Sequence, residues 1–345
     1  MKTGRKILVN CFCVVGLTFF LIILQVLSNG SIVCVTNVNS MPHARDGEGV
    51  SVLDVFHSID TNWSFNAREA DIFRSELEDH CTTSKLFIIT QENVKYHGTI
   101  GYEAEWLSWK FVTSEIYDRF PKKIPYEKKM FKKCSVVGSG GILLGSKCGK
   151  FIDTADFVMR MNFAEVTTYN DDVGLKTDLV TLNPSLLCSN YSGLDERGAV
   201  RFKDYTKQQY KNAPVYTSPF SYHGLTTELS FKAHDTLKPE NIKVFFAHPD
   251  FIYTMRKFYQ QKNITETRVT TGLILITAAV SFCEEVHVYG FWPFSEDPDG
   301  KPLNFHYFDA YSYPNYLHNM TAEFKMLVDL HNKGVIRLHV GKCKK

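Results

Sequence analysis

From about residue 130 to the C-terminus, short apolar runs alternate with longer amphipathic stretches. The runs at 135–138, 157–161, 178–182, 215–218, 244–247, 286–291 and 335–340 read as strands, apolar at nearly every position. Strands of that kind are covered on both faces, and with helices between them they imply an α/β fold with a mostly parallel sheet. Helical spacing is clearest at 251–261, 272–282 and 321–332, the last stopped by Gly334. Residues 28–80 carry few long apolar runs and read as a stem, helical in part, with Val52, Val55, Phe56 and Ile59 on one face. No repeat or low-complexity tract interrupts the pattern.

The longest apolar stretch, residues 7–27, contains no charged residue and is long enough to cross a bilayer as a helix. Lys2, Arg5 and Lys6 precede it, and no Lys or Arg follows until Arg45, so residues 1–6 are expected to stay cytoplasmic. The apolar region of a cleaved signal peptide runs to only about 7–15 residues, which favours an uncleaved signal-anchor. Everything beyond it then faces the secretory lumen. Sequons at Asn29, Asn62, Asn190, Asn263 and Asn319 agree with that topology. So do seven of the nine cysteines, Cys34, Cys81, Cys134, Cys148, Cys188, Cys283 and Cys343, which would meet an oxidising compartment. Seven is odd, so at least one thiol is free or pairs with another chain, and Cys34 is the candidate for such a pairing. A formal net charge of +2 gives no sign of nucleic-acid binding.

Ligands of a parallel sheet sit at the carboxyl ends of its strands, and "VVGSGGILLGSKCG" (136–149) forms a glycine-rich turn at such an end. Its glycines fit neither the dinucleotide pattern, where Leu143 stands in place of a glycine, nor the P-loop, where Ser146 and Lys147 are in the wrong order. Thr270 and Thr271 precede a helix that is apolar nearly all round, and a helix start can hold an anion. A Thr-Thr pair serves an ordinary N-cap equally well. His306 and His318 stand out in an aromatic C-terminal region, His318 placed to act as a general base. The cysteines are scattered and no H-E-x-x-H occurs, so no metal is expected. "DPDG" (297–300) reads as a turn, and the lysines of 122–133 as a solvated loop.

Four segments together resemble the animal sialyltransferases, in particular their α2,8 branch. Residues 134–166 are similar to the long sialyl motif and 270–294 to the short one. "HYFD" (306–309) resembles the third motif, and His318 with Glu323 the very short H-x4-E motif. The resemblance covers about residues 80–345, so 81–345 would be the catalytic domain. It implies a Rossmann-like sheet of the sialyltransferase variant of the GT-A type, Golgi-membrane residence, and inverting, metal-independent transfer of sialic acid from CMP-sialic acid. No cofactor is implied. The acceptor would be a sialylated glycolipid or glycoprotein, and a homodimer is possible for the family.

Carried over by position, Ser139, Gly140 and Asn162 would contact the CMP portion, and Thr270, Thr271 and Gly272 would hold the donor, with Trp292 near the nucleotide. His306 would support the departing phosphate and His318 would take the acceptor proton. The resemblance also implies Cys134–Cys283 and Cys148–Cys343 disulfides. A glycine turn and a helix start would suffice for a donor with one phosphate. The family usually carries Asn where this chain has Ser139, which shortens or removes a donor contact. A glycan at Asn319, beside His318, would crowd the cleft, so that sequon is expected to be unoccupied. The alternatives are a polysialyltransferase, or a non-catalytic glycan-binding or glycosyltransferase-partner protein of the same fold. An NAD-dependent enzyme stands behind both, because the glycine spacing fails it.

Overall fold

The computed structural model describes residues 25–26, 32–33, 52–105, 107–126, 130–264, 268–310 and 319–343. They fall in two compact units, Met1–Pro42 and His43–Lys345. In the first, β1 (Gln25–Val26) pairs antiparallel with β2 (Ile32–Val33). The expected anchor at 7–27 lies outside the described residues apart from Gln25 and Val26, as do the tail 1–6 and Asn29. Among the described residues no helix is long and apolar enough to cross a membrane.

In chain order the second unit begins with helices α1 (Val52–His57), α2 (Ala67–Cys81) and α3 (Thr83–Leu86), then the ribbon β3 (Thr99–Gly101) and β4 (Trp109–Phe111), then α4 (Ser114–Tyr117). Next come β5 (Phe131–Val137), α5 (Gly149–Asp153), β6 (Phe157–Arg160), α6 (Asn170–Val173), β7 (Leu179–Leu182), α7 (Pro184–Tyr191), α8 (Glu196–Tyr210) and β8 (Val215–Thr217). The chain continues through α9 (Leu225–Leu237), β9 (Val244–Phe246), α10 (Pro249–Gln261), α11 (Thr271–Phe282), β10 (Cys283–Tyr289), α12 (Met320–Asn332) and β11 (Ile336–His339).

Seven strands form one parallel sheet in the order β11-β10-β5-β6-β7-β8-β9. All seven expected runs are in it. From β5 the chain builds outward through β9, then returns to place β10 and β11 on the other side of β5. The order therefore reverses between β5 and β10, and the crevice that opens there is where such sheets bind ligands.

The apolar character of α11 follows from its position. It packs on β5 and β10 and is covered in turn by α2 and α3, so ten of its twelve residues are buried. Cys134 and Val136 of β5 face this core. Strand alternation turns Ser135 to the opposite face, where its hydroxyl donates to the Ile152 carbonyl of α5. Helices thus cover both faces.

The packed unit begins well before residue 81. Ala70, Phe73 and Leu77 of α2 are core residues, and Val55 joins them with Phe56 and Ile59 against its edge. Trp63 Nε1 donates to the Ile336 carbonyl, and the Asn66 amide to that of Gly334. The C-terminal half of the expected stem is therefore part of the domain, because α11 needs a helix on its outer side. Asn62, Asn190 and Asn263 are exposed.

Both expected disulfides are present. Cys134–Cys283 joins β5 to the start of β10, with Cα atoms 6.0 Å apart, and Cys148–Cys343 ties the end of the chain to the loop after β5, at 5.0 Å. Cys188 is also disulfide-bonded. The free thiol among the described residues is Cys81, buried in α2. Cys34 lies outside the described residues.

Candidate active site

Three distant loops meet at the reversal point. The Gly138 and Gly140 amides donate to the carbonyls of Tyr289 and Gly290, just after β10, and the Gly141 amide donates to Phe305. The Tyr307 amide returns a bond to the Ser139 carbonyl at 3.0 Å, so Gly140 and His306 form an antiparallel bridge. These bonds correct the reading of the turn as a cradle of amide donors: Gly138, Gly140 and Gly141 spend their N–H groups on protein carbonyls. Glycine is required for the approach itself. A Cβ at Gly140 would stand 2.5 Å from the Gly290 oxygen, and one at Gly141 would stand 2.0 Å from the Asn304 oxygen. What the turn offers a ligand is the half-buried Ser139 and its hydroxyl.

Asn162 follows β6 on the same edge. Its amide donates to Thr181 Oγ1 at 2.9 Å, and both Asn162 and Phe163 sit in the left-handed region, at φ 48° and 53°. Two adjacent non-glycine residues there concentrate backbone strain at the carboxyl end of a central strand, a common place for function.

The start of α11 supplies the amide donors. Thr270 caps it, its hydroxyl oxygen accepting from the Leu273 amide at 3.1 Å. The Thr271 and Gly272 amides belong to the first turn, which has no acceptor within the helix, and both lie at the positive end of the helix dipole. Gly272 is pressed against Phe291, whose ring would lie 2.3 Å from a Cβ. The helix start is thereby held beside the loop after β10.

Glu323, in the first turn of α12, fixes this arrangement from the other side. Its two oxygens accept from the Thr270 amide at 2.8 Å and the Thr270 hydroxyl at 2.5 Å. Burial pushes its carboxyl up to about 7, against the two hydrogen bonds, which pull down. Asn319 caps α12 by accepting from the Ala322 amide at 2.9 Å.

His306 Nδ1 lies 2.8 Å from Asp309 Oδ2, and its ring stacks on Phe308. An imidazole that donates from Nδ1 keeps Nε2 for a ligand. Its side chain is 27% exposed. Trp292 is placed differently from the expectation. It is buried, its indole N–H donates to the Glu296 carbonyl at 2.7 Å, and Phe56, Phe294 and Phe324 contact its ring. It packs beneath the site, with no open face for a nucleotide. Asp297 accepts from the Asp299 and Lys301 amides, so DPDG is a turn. His318 lies outside the described residues.

The geometry thus brings Ser139, Gly140, Asn162, Thr270, Thr271, Gly272 and His306 to one edge of the sheet, drawn from four stretches of sequence. Sequence reasoning gave no role to Asp309 or Glu323 individually, although each closes a motif it had singled out.

The sequence profile of glycosyltransferase family 29 (sialyltransferase) matches residues 88–335. The chain belongs to that family. Among its relatives, alpha-2,8-sialyltransferase 8E of Rattus norvegicus is 37% identical over 284 residues, covering 81% of this chain and 75% of the relative. Alpha-N-acetylneuraminide alpha-2,8-sialyltransferase of Bos taurus is 38% identical over 287 residues, covering 82% of this chain and 80% of the relative. A crystal structure of a mammalian sialyltransferase, in complex with Gal-beta-1-3GalNAc-ortho-nitrophenol, is 18% identical, covering 86% of this chain and 88% of that one with a TM-score of 0.42.

Proposed function

We propose that this sialyltransferase is an α2,8-sialyltransferase, moving sialic acid from CMP-sialic acid to the terminal sialic acid of a glycolipid or glycoprotein glycan. The observation that carries the reading is the convergence of the four motif segments at the β5/β10 reversal, locked by the Gly140–His306 bridge and the Glu323–Thr270 bonds. The α2,8 linkage draws on the relatives' names.

In this reading the donor carries two negative groups, one phosphate and the sugar carboxylate. The Thr271 and Gly272 amides with the helix dipole neutralise one of them, and His306, oriented by Asp309, faces the other. Ser139 and Asn162 hold the CMP portion. The acceptor hydroxyl attacks C2 of the sialic acid from the side opposite the phosphate. As the C2–O bond to phosphate breaks, CMP leaves with the electron pair. Positive charge on C2 is transient, and the hydroxyl proton passes to His318. The place given to His318 rests on chain position, since α12 begins at Met320 and is bonded to Thr270 through Glu323. Because fixed donors and imidazoles carry the charge, the reaction is expected to need no metal.

The proposal extends to the whole chain: a Rossmann-like catalytic domain of the sialyltransferase variant of the GT-A type, held in the Golgi lumen by a signal-anchor at 7–27. The five disulfide-bonded cysteines among the described residues suit an oxidising lumen. The test is transfer from CMP-sialic acid to sialylated acceptors by the full-length protein, with and without EDTA. Transfer should survive EDTA, and His318→Ala should lower kcat by roughly 10²–10⁴-fold. Normal turnover in that variant would refute the assignment of the base.

A further inference from the structure

The start of α11 is joined to α12 by a pair of contacts whose direction depends on one proton. Glu323 is 6% exposed and both its oxygens meet Thr270, Oε1 at the amide, 2.8 Å away, and Oε2 at the hydroxyl, 2.5 Å away. Thr270 Oγ1 also accepts from the Leu273 amide at 3.1 Å. Burial opposes charge on Glu323, the two Thr270 bonds favour it, and no cation acts on it among the described residues. The loop after β10 meets the same turn of α12 through Trp292 and Phe294, against Phe324, and none of these side chains ionises. From α10 the titratable group that senses Glu323 is Tyr259, a phenol that burial keeps neutral and that bonds to Thr277 of α11. Lys325, on α12 itself, is exposed, and β11 is bonded to the far end of that helix, at His331.

Counting protons fixes what each state can do. A hydroxyl has one proton to give and two lone pairs to fill. Ionised, Glu323 can only accept, so the Thr270 proton is committed to Oε2 and none is left for a ligand. With a proton on Oε2, that O–H donates to Thr270 Oγ1 instead. Leu273 and Glu323 then fill both lone pairs of Oγ1, and the threonine's own proton turns away from both. Thr270 is half-buried, and the two residues that follow it, Thr271 and Gly272, form the helix start that meets CMP-sialic acid in the reading above.

We propose that Glu323 is a positioning residue whose proton gates this helix start. Protonated, it frees the Thr270 hydroxyl to bond an anionic oxygen of CMP-sialic acid. Ionised, it withdraws that bond and leaves a negative charge behind the site. The anionic oxygen belongs to the phosphate or to the sugar carboxylate. Burial sets the midpoint, raising the carboxyl to about 7. A carboxyl raised in this way holds its proton below that midpoint and loses it above, so affinity for CMP-sialic acid should fall as pH rises through 7.

The gate rests on the sialyltransferase reading, so its test measures binding and not transfer. Titration calorimetry of the full-length protein in detergent, without acceptor, gives Kd for CMP-sialic acid and for CMP at pH 6 and pH 8. In the wild type, Kd for CMP-sialic acid should rise roughly tenfold between the two, the limit for one proton with a midpoint near 7. Glu323→Gln mimics the protonated state, since its amide group donates to Thr270 Oγ1 while its carbonyl accepts from the Thr270 amide. It should bind at pH 8 as tightly as the wild type binds at pH 6. Any titration of His306, His318 or the CMP phosphate is shared by both proteins and cancels in the comparison. Thr270→Ser, which keeps the hydroxyl, should show the wild-type profile, and Thr270→Val should bind weakly at both pH values. If CMP shows the same change, the bonded oxygen is the phosphate's; if only CMP-sialic acid does, it is the carboxylate's. A wild-type Kd that is equal at pH 6 and pH 8, or a Glu323→Gln profile that follows the wild type, would overturn the gate and leave the sialyltransferase reading intact. So would a Glu323→Gln protein that melts like the wild type yet binds weakly at both pH values, the result of a purely structural Glu323. No binding of CMP or CMP-sialic acid at either pH would strike the sialyltransferase reading and the gate together.

Discussion

Glu323 shows how one buried group links stability to the site. Burial raises its folded pKa to about 7, above the 4.5 of a free glutamate side chain. A raised carboxyl favours the protonated form in the folded state. Its contribution is therefore full below about pH 4.5 and is lost as pH rises through about 7, a change of roughly 3 kcal/mol at 1.36 kcal/mol per unit. Denaturant unfolding between pH 4.5 and 7.5 should show this loss in the wild type and a flatter profile in Glu323→Gln. An equal slope in the variant would show that the loss comes from other groups. Asp309 acts on His306 in a comparable way, through the tautomer. Asp309→Asn, offering a donor as well as an acceptor, should lower kcat on the order of 10²-fold while the melting temperature stays close to that of the wild type. Glu323 could not be assigned its partner from sequence, since Thr270 lies 53 positions away. What sequence did mark was the polar residue closing each motif.

Whether an element could be read from sequence depended on how its buried face was made. The seven parallel strands were legible because they are apolar on both sides, and α11 because it is apolar all round. The β3–β4 ribbon was missed: each strand is three residues long and mostly exposed, too short for a period to register. Helix α8 was missed for another reason. Its buried face is Gly198, Phe202, Thr206, Gln209 and Tyr210, with only two large aromatic residues, and Gln209 is there to accept from the Val166 and Thr167 amides. A buried face built for hydrogen bonding hides from a hydrophobic pattern. The glycine turn was located correctly and its purpose misread, because glycine permits close approach by a ligand and by another loop alike. Here the other loops are more than a hundred residues away in sequence. Gly141→Ala would drive a methyl group onto the Asn304 carbonyl, and we expect a loss of about 1–3 kcal/mol or more, as for other overpacked sites. A melting temperature equal to that of the wild type would mean that the loop carrying Asn304 yields freely.

At the scale of the molecule, the reaction edge is assembled from chain segments that only the complete fold brings together, and the disulfides act on that assembly. The seven cysteines beyond residue 27 do not fix their own pairing by spacing, so the connectivity came from resemblance and not from the residues. The Cys148–Cys343 bridge has the wider reach. It closes a separation of 195 residues, and beside it the Cys343 amide donates to the Ser146 carbonyl while Asp172 accepts from the Gly145 and Lys147 amides. The bridge thus anchors the far end of the loop that begins at Ser139, and it also holds the chain that leaves β11, the strand on which α12 packs. Removing it should have two effects at once. Freed from a long closed loop, the unfolded chain gains entropy, and Cys343→Ser should lose roughly 2–5 kcal/mol in denaturant unfolding. The Ser139 loop should also loosen, which raises KM for CMP-sialic acid more than it lowers kcat. Cys81 provides the control for such an experiment. Burial raises its thiol to about 12, so a thiol reagent should label it in the wild type only after unfolding. A Cys343→Ser protein that unfolds at the wild-type midpoint and keeps the wild-type KM would mean that Asp172 and the backbone bonds alone hold the edge together.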